Sequence, residues 1–599
     1  MDHLQREADL RTVEAPVRAC LEVAEIHRRV IAAGGPALLF TNVEGSDFPL
    51  VTNLFGTARR AEIAFGRRPA RLVRRTAEFL QQSLPPGIGS LWAARDLVAA
   101  GLKLGTTSTR SGPVREVENG EIDLGLLPVI TSWPDDGGPF LTLPLVYTED
   151  PEGAGHNLGI YRMQVHGRRT TGMHWPIGKG GGFHHARAVL RGEALPVTVF
   201  LGGPPALILA AVAPLPENVP ELILASLLAG RRLRRCGGPG PHPLLADAEF
   251  ALSGIVPAHE RMPEGPFGDH YGYYSMQHDY PVFRINHLSH RRDAIYPATV
   301  VGKPRQEDFF IGDLLQELLA PLFPLVMPAV EALWSYGETG YHSLAAAVVR
   351  QRYRREAMAS AFRILGEGQL GLTKFLLVTD RPVGLRDFPQ TLEHVLERTR
   401  PETDLYVFSN VSMDTLDYTG PEVNLGSKGV LLGLGDPVRV LPGEFKASEL
   451  PRGVRDVRVF CRGCLVVGGP TYRDEPDAPS RIASHTAFVG WPLVVLTDEP
   501  ARAGASSINF LWTTFTRFEP AADIHAAKVD VRRHHLSYTP PIVIDARMKP
   551  PYPEELFCDP ETANLVTSRW SEYFRTATWR WGTQTGRISI DGKPGELRI

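Results

Sequence analysis

Apolar positions recur every three or four residues between Val17 and Ala33, where Cys20, Val23, Ile26 and Val30 sit among charges, and this spacing predicts a helix. Short apolar runs follow at Ala37–Phe40 and Phe48–Val51, so the segment to about residue 125 reads as an α/β unit. From about 126 to 320 strand-like runs dominate: Leu141–Tyr147, Ile160–Val165, Pro196–Leu201 and Pro281–Asn286. Turns rich in Gly and Pro separate them, which predicts a β-barrel or sandwich. From about 321 to 540 the pattern alternates again, with strands at Leu372–Asp380, Val430–Leu434 and Pro492–Asp498 and a helix at Leu392–Arg398. The stretch 452–484 reads as an insertion, and 541–599 as an arm with one helix, Asp559–Phe574, that packs on a neighbour. No internal repeat is evident.

The uncharged stretch Ala194–Pro216 is long enough to span a bilayer. Its five prolines and its glycine pair rule against a continuous helix, so it predicts a buried strand, a turn and a short buried helix. The N-terminus has scattered charges and no apolar core segment, unlike a signal peptide. With 64 basic and 67 acidic residues, no overall charge points to nucleic acid. Five cysteines in 599 residues argue against a disulfide framework and for a reducing compartment. Cys461 and Cys464 form one C-x-x-C, but no second pair completes a zinc site.

Four clusters could carry chemistry. Glu264-Gly-Pro-Phe-Gly-Asp269 holds two carboxylates on one tight turn. Close carboxylates repel, so one is expected to have a raised pKa unless a cation intervenes, and a raised acid suits a proton donor. Asn157-Leu-Gly-Ile-Tyr-Arg162 places an arginine at the mouth of a strand, where it could clamp a carboxylate or neutralise one of the acids. Gly178-Lys-Gly-Gly-Gly182 could present backbone N–H groups and Lys179 to an anion, but no Ser or Thr follows Gly-Lys as a P-loop requires. His184 and His185 follow it; on a strand they would face opposite ways. Glu221 opens a helix after Pro220, near the Ala213-Pro-Leu-Pro216 turn. Taken singly, each has a plain structural reading: a solvated turn, an edge-strand arginine, an unliganded loop, an acid favoured by a helix dipole.

Together they resemble the UbiD family of prenylated-flavin decarboxylases. Ser46–Gly56, Asn157–Gln164, Thr171-Gly-Met-His-Trp175, Gly203–Ala210, Glu264–Gly268, Phe510–Arg517 and Ile544-Asp-Ala-Arg547 are similar to family segments, in the family's order. The resemblance implies an α/β fold with a central split β-barrel of the FMN-binding type: an N-terminal α/β domain, the barrel, and a C-terminal α/β domain used in oligomerisation. It implies catalytic roles for Arg162, Glu264 as proton donor, and Asp269 where the family usually has glutamate. It implies Asn157 and Glu221 as ligands of a divalent metal, Mn2+ or Mg2+, with K+ a further candidate ion; Gly178 stands where the family commonly has a histidine ligand, so Lys179, His184 or His185 would have to compensate. Gly159, Ile160, Ala213, Pro214 and Ile311 match positions that line the prenylated FMN. The expected partners are an aromatic or unsaturated carboxylic acid, a UbiX-type flavin prenyltransferase that supplies the cofactor, and further copies in a dimer or hexamer. The expected setting is cytoplasmic, with contact at a membrane periphery left open. Quinone biosynthesis, through a menaquinone (futalosine-type) or ubiquinone precursor, is the leading role. Another (hetero)aromatic acid, an ordinary flavin oxidoreductase, and a silent subunit of a larger decarboxylase are the alternatives.

Overall fold

Val197, Val199 and Phe200 are β-branched or aromatic, all buried, and lie in a strand, Leu195–Leu201. It pairs antiparallel with Leu145–Glu149 on one side and Phe250–Val256 on the other. Gly202 and Gly203, both at positive φ, end it, and the buried helix Ala206–Val212 follows. The uncharged stretch is therefore a strand, a turn and a short helix, as its prolines foretold. This computed structural model describes residues 1–574 except 67, 83–94, 120, 154, 176–179, 214, 216–219, 304 and 447–448. The chain divides into two compact units, Met1–Leu318 with the segment from Glu554 onward, and Leu319–Pro553.

In the first unit, a ten-stranded sheet is organised around the long strand His278–His290, which pairs with four others. A four-stranded sheet contains Leu10–Val13, Ala37–Phe40, Leu50–Thr52 and Tyr296–Pro297. Both sheets contribute to one core that includes Val30, Phe40, Val199 and Phe283. The first long helix runs Glu22–Ala32, shorter than its periodicity suggests. Leu21, at φ 63°, breaks the path, and Val17 and Cys20 instead make β-bridges to Val43 and Thr131. The helix Pro560–Tyr573 packs on its own chain: Arg29 donates to the Ala563 carbonyl at 2.7 Å and the Tyr573 hydroxyl to Glu22 at 2.6 Å. Glu307–Val326 is long and apolar enough to cross a membrane, but Pro321 and Pro324 divide it into a helix, a 3-10 turn and a second short helix.

The second unit holds two five-stranded sheets with the same topology. In each, two parallel pairings at the centre are flanked by an antiparallel hairpin on one edge and an antiparallel strand on the other. The match extends to sequence. At one constant spacing Val348, Val349, Arg355, Arg363, Ile364, Thr379 and Asp380 recur as Val466, Val467, Arg473, Arg481, Ile482, Thr497 and Asp498. The local bonding recurs too. Asp380 accepts from the Gly435 amide at 2.8 Å and Asp498 from Met548 at 2.7 Å; Asp404 accepts from the Arg400 amide at 2.9 Å and Asp523 from Glu519 at 2.7 Å. The unit is thus an internal repeat, contrary to the sequence reading. The stretch 452–484 is not an insertion: it supplies the strands Arg455–Cys461 and Cys464–Gly468 and the helix Ala478–Ala483 of the second copy.

The copies pack reciprocally. Helix Pro401–Asp404 of the first lies on strand His535–Asp545 of the second, and Pro520–Asp523 of the second lies on Leu425–Gly433 of the first. A shared core joins Phe375 and Phe388 to Phe510, Phe515 and Phe518. Each copy also has an outer core of its own.

Candidate active site

The strand read as Ile160–Val165 is interrupted. His156–Ile160 and Met163–Gly167 are separate strands, and Arg162 sits in the break. Its guanidinium turns toward the 264–269 turn. Nε donates to Glu264 Oε1 at 3.0 Å, one terminal nitrogen pairs with Asp269 Oδ2, and the other donates to Ser275 Oγ at 3.0 Å. The group also lies 4.7 Å from the Phe267 ring centroid. The structure thus brings all three predicted catalytic side chains together, and the shorter Asp269 reaches Arg162.

The turn is held from several directions. Gly265, at φ +100°, donates its N–H to Gln164 Oε1 at 2.8 Å. The Gly268 N–H donates to Asp136 Oδ1 at 2.7 Å, and a Cβ on Gly268 would stand 2.1 Å from Trp133. Phe267–Gly268 pairs with Tyr274–Ser275, which brings Ser275 back to Arg162. His174 adds a second donor: its Nδ1 lies 2.8 Å from Glu264 Oε1, and its ring packs 4.4 Å from that of Tyr280. In the sequence His174 stands out only as part of a matching segment, and Ser275, Asp136 and Gln164 were missed as supports. The histidine in Thr171–Trp175 was the available signal; Ser275 and Asp136 carried none.

The cation does intervene, and neither acid of the turn is raised. Burial pushes the Glu264 carboxyl up, but the His174 hydrogen bond and the Arg162 charge outweigh it, and Glu264 lies below the usual range. Burial likewise opposes Asp269, yet Arg162 and His270 hold it well below. Burial and Arg162 depress His174, so its imidazole is neutral and donates Nδ1–H to the carboxylate. The intervening cation decides the outcome. Burial does raise one nearby acid, Asp136, to about 6.

A second group of predicted residues gathers around Tyr161. Asn157 Nδ2 donates to the Tyr161 hydroxyl at 3.3 Å, leaving Oδ1 as an acceptor. Glu221, at the first position of helix Glu221–Ala229, accepts from the Leu158 N–H at 3.0 Å, and burial pushes its carboxyl up. Gly159 lies against the Tyr161 ring, where a Cβ would meet it at 2.5 Å. Ile160 ends the same strand, Ala213 caps helix Ala206–Val212, and Ile311 is buried in helix Glu307–Leu319. Gly178, Lys179 and Pro214 lie outside the described residues. His184 and His185 are on a helix, Gly180–Arg191, not a strand. His184 Nδ1 lies 2.9 Å from Thr148 Oγ1, and His185 Nε2 faces the Pro257 carbonyl at 3.5 Å. Among the described residues no cluster of three His, Cys, Asp or Glu is placed to hold a metal.

Three domain families match the chain in order: the 3-octaprenyl-4-hydroxybenzoate carboxy-lyase N-terminal domain over residues 1–80, the Rift-related domain over 106–304 and the C-terminal domain over 309–433. A Chlamydia pneumoniae protein, named as a subunit of 4-hydroxybenzoate decarboxylase, is 51% identical over 563 residues, 94% of this chain and 95% of the relative. The chain belongs to the UbiD family. It is therefore a UbiD-type carboxy-lyase by family. Its fold is that of Sedimentibacter hydroxybenzoicus vanillic acid decarboxylase in its closed form: TM-score 0.65, 22% identity, 76% of this chain and 95% of that one. It is also that of an evolved dimeric form of the UbiD-class enzyme HmfF from Pelotomaculum thermopropionicum in complex with prFMN: TM-score 0.59, 21% identity, 75% of this chain and 96% of that one.

Proposed function

We propose that this UbiD-family chain is a prenylated-FMN-dependent decarboxylase of an aromatic or α,β-unsaturated carboxylic acid, built on an FMN-binding split barrel. The observation that carries the reading is Arg162 held between Glu264 and Asp269, with Glu264 fully buried.

The residues present fit a flavin phosphate. Helix Gly180–Arg191 starts with three glycines, and a Cβ on Gly180 would meet Asn157 Oδ1 at 2.2 Å. Trp175 Nε1 is buried beside Gly181 without a partner among the described residues. A helix N-terminus with bare backbone and a spare N–H donor suits an anion. Asn157 Oδ1 and the Glu221 carboxylate are hard oxygen donors of the kind Mg2+ or Mn2+ prefers. Gly159, Ile160, Ala213 and Ile311 would line the ring system. When bound, the prenylated flavin supplies the electron sink that a carboxylate on an sp2 carbon lacks.

The chain's own residues do the rest. Three of the five Arg162 N–H donors are engaged, which leaves two to orient the substrate carboxylate. Loss of CO2 leaves a carbon that must gain one proton, and Glu264 is the acid positioned to give it. Glu264 rests as a carboxylate, so each turnover requires a proton delivered to it first. The relative's name supports a hydroxybenzoate-type acid, and its designation as a subunit supports a partner chain. A place in quinone biosynthesis, a UbiX-type cofactor supplier and a cytoplasmic setting complete the proposal.

The test is to purify the protein with a co-expressed flavin prenyltransferase and assay CO2 release from 4-hydroxybenzoate, vanillate and a dihydroxynaphthoate. Glu264→Gln and Arg162→Ala should retain flavin and lose on the order of 10²–10⁴-fold in turnover. Wild-type turnover in Glu264→Gln would refute the assignment.

A further inference from the structure

Decarboxylation consumes one proton per turnover, and Glu264 has no exposed surface through which to collect it. Its Oε1 is occupied by Arg162 and His174. Oε2 is buried and has no partner among the described residues. A second buried atom nearby shares that condition: His166 Nε2. Between them lies Gly172. A Cβ there would stand 2.9 Å from Glu264 Oε2 and 3.2 Å from His166 Nε2. The two atoms are therefore no more than about 6 Å apart across a gap that a side chain at 172 would fill, a span that one water crosses with two hydrogen bonds.

We propose that His166 delivers the proton to Glu264, through a water seated over the bare Cα of Gly172. The inference rests on Glu264 acting as the proton donor. His166 Nε2 gives its proton to the bridging water, which passes one to Glu264 Oε2; the glutamic acid protonates the substrate carbon, and the imidazole regains a proton from solvent. No redox partner enters. His166 is only half-buried, so it links the sealed carboxylate to bulk water. Its strand, Met163–Gly167, pairs with Phe140–Leu141 and Thr170–Gly172, neither of which carries a titratable group. Burial lowers the imidazole's proton affinity and the Glu264 charge raises it, so the two groups are coupled. Arg162 and His174 act in turn on Glu264.

His166 is a positioning and relay residue, since it does not reach the substrate. The holoenzyme is tested with whichever acid of the panel the wild type turns over. His166→Ala should keep its flavin and KM and lose kcat on the order of tenfold, below the range for a residue that protonates substrate directly. Added imidazole should restore the rate. Gly172→Ala should lose kcat similarly but resist imidazole, because its methyl group occupies the gap. A high-resolution crystal structure should show density joining His166 Nε2 to Glu264 Oε2. Full turnover in His166→Ala beside an inactive Glu264→Gln overturns the relay and leaves the decarboxylase reading standing. Full turnover in both variants removes Glu264 from the proton path and overturns the relay with it, whereas no CO2 release by the wild type from any acid of the panel overturns the decarboxylase reading itself. Loss of kcat in His166→Ala that imidazole does not restore marks His166 as structural and also overturns the relay.

Discussion

A guanidinium sealed against two carboxylates sets how those groups respond to acid. Asp269 lies below its ordinary 3.8, so its pairing contributes stability that is fully present above that pH and is lost as the pH falls through the lower folded-state value. Asp269→Asn should therefore destabilise the neutral protein by about 2 kcal/mol, as for a hydrogen bond to a charged partner. Thermal melts of both proteins should converge as the pH drops below about 3.8; a gap unchanged in acid would assign the loss to packing. The three central residues stood out as candidates in a tight Gly-Pro turn and at a strand end, but each taken singly had a plain reading, and their roles came from the ordered segments that resemble the family. Their protonation was not legible, since it depends on Arg162 lying between the acids. Nor were Ser275 and Asp136, which arrive through strand pairing and a backbone amide rather than through any local pattern.

Helices and strands followed their hydrophobic periods well, and their ends less well. The helix foreseen at Leu392–Arg398 begins earlier, at Phe388, where Asp387 accepts from the Gln390 N–H at 3.1 Å. Ser506 caps the corresponding helix of the second copy, Ser507–Arg517, by accepting from the Asn509 N–H at 3.1 Å. Asp387→Ala and Ser506→Ala should each cost about 1 kcal/mol, read as a lower urea midpoint with unchanged slope. A larger loss in either would show that the cap also holds the shared core. The glycine-rich 180–182 segment misled in the other direction. Glycine is a poor helix former, yet here it opens a helix, because Asn157 and Trp175 come too close for side chains at Gly180 and Gly181. Long-range packing, invisible along the chain, overrode propensity.

At the level of the whole molecule, the family's domain order was readable while the duplication was not. The copies share few residues, spaced along strands and at strand ends, and the identity emerges only when pairing order is compared. Because one apolar core joins the copies, residues 319–553 should unfold in a single step. Hydrogen exchange followed by mass spectrometry should show both central strands, Phe375–Thr379 and Leu493–Thr497, opening with the same free energy. Clearly separate values would mean that each copy is an independent folding unit. The reciprocal seating of the two short helices is that of a two-fold dimer drawn into one polypeptide.

A molecule that contains its own copy carries an internal control for mutagenesis. The aspartates at 380 and 498, and at 404 and 523, survive in both copies and belong to the scaffold. The buried pair Lys374–Asp417 and the neighbouring Lys428 stand in one copy alone, where the other places Pro492 and Pro541 at the matching strand positions. The second copy forms the same sheet without them, so they do not belong to the scaffold that the two copies share.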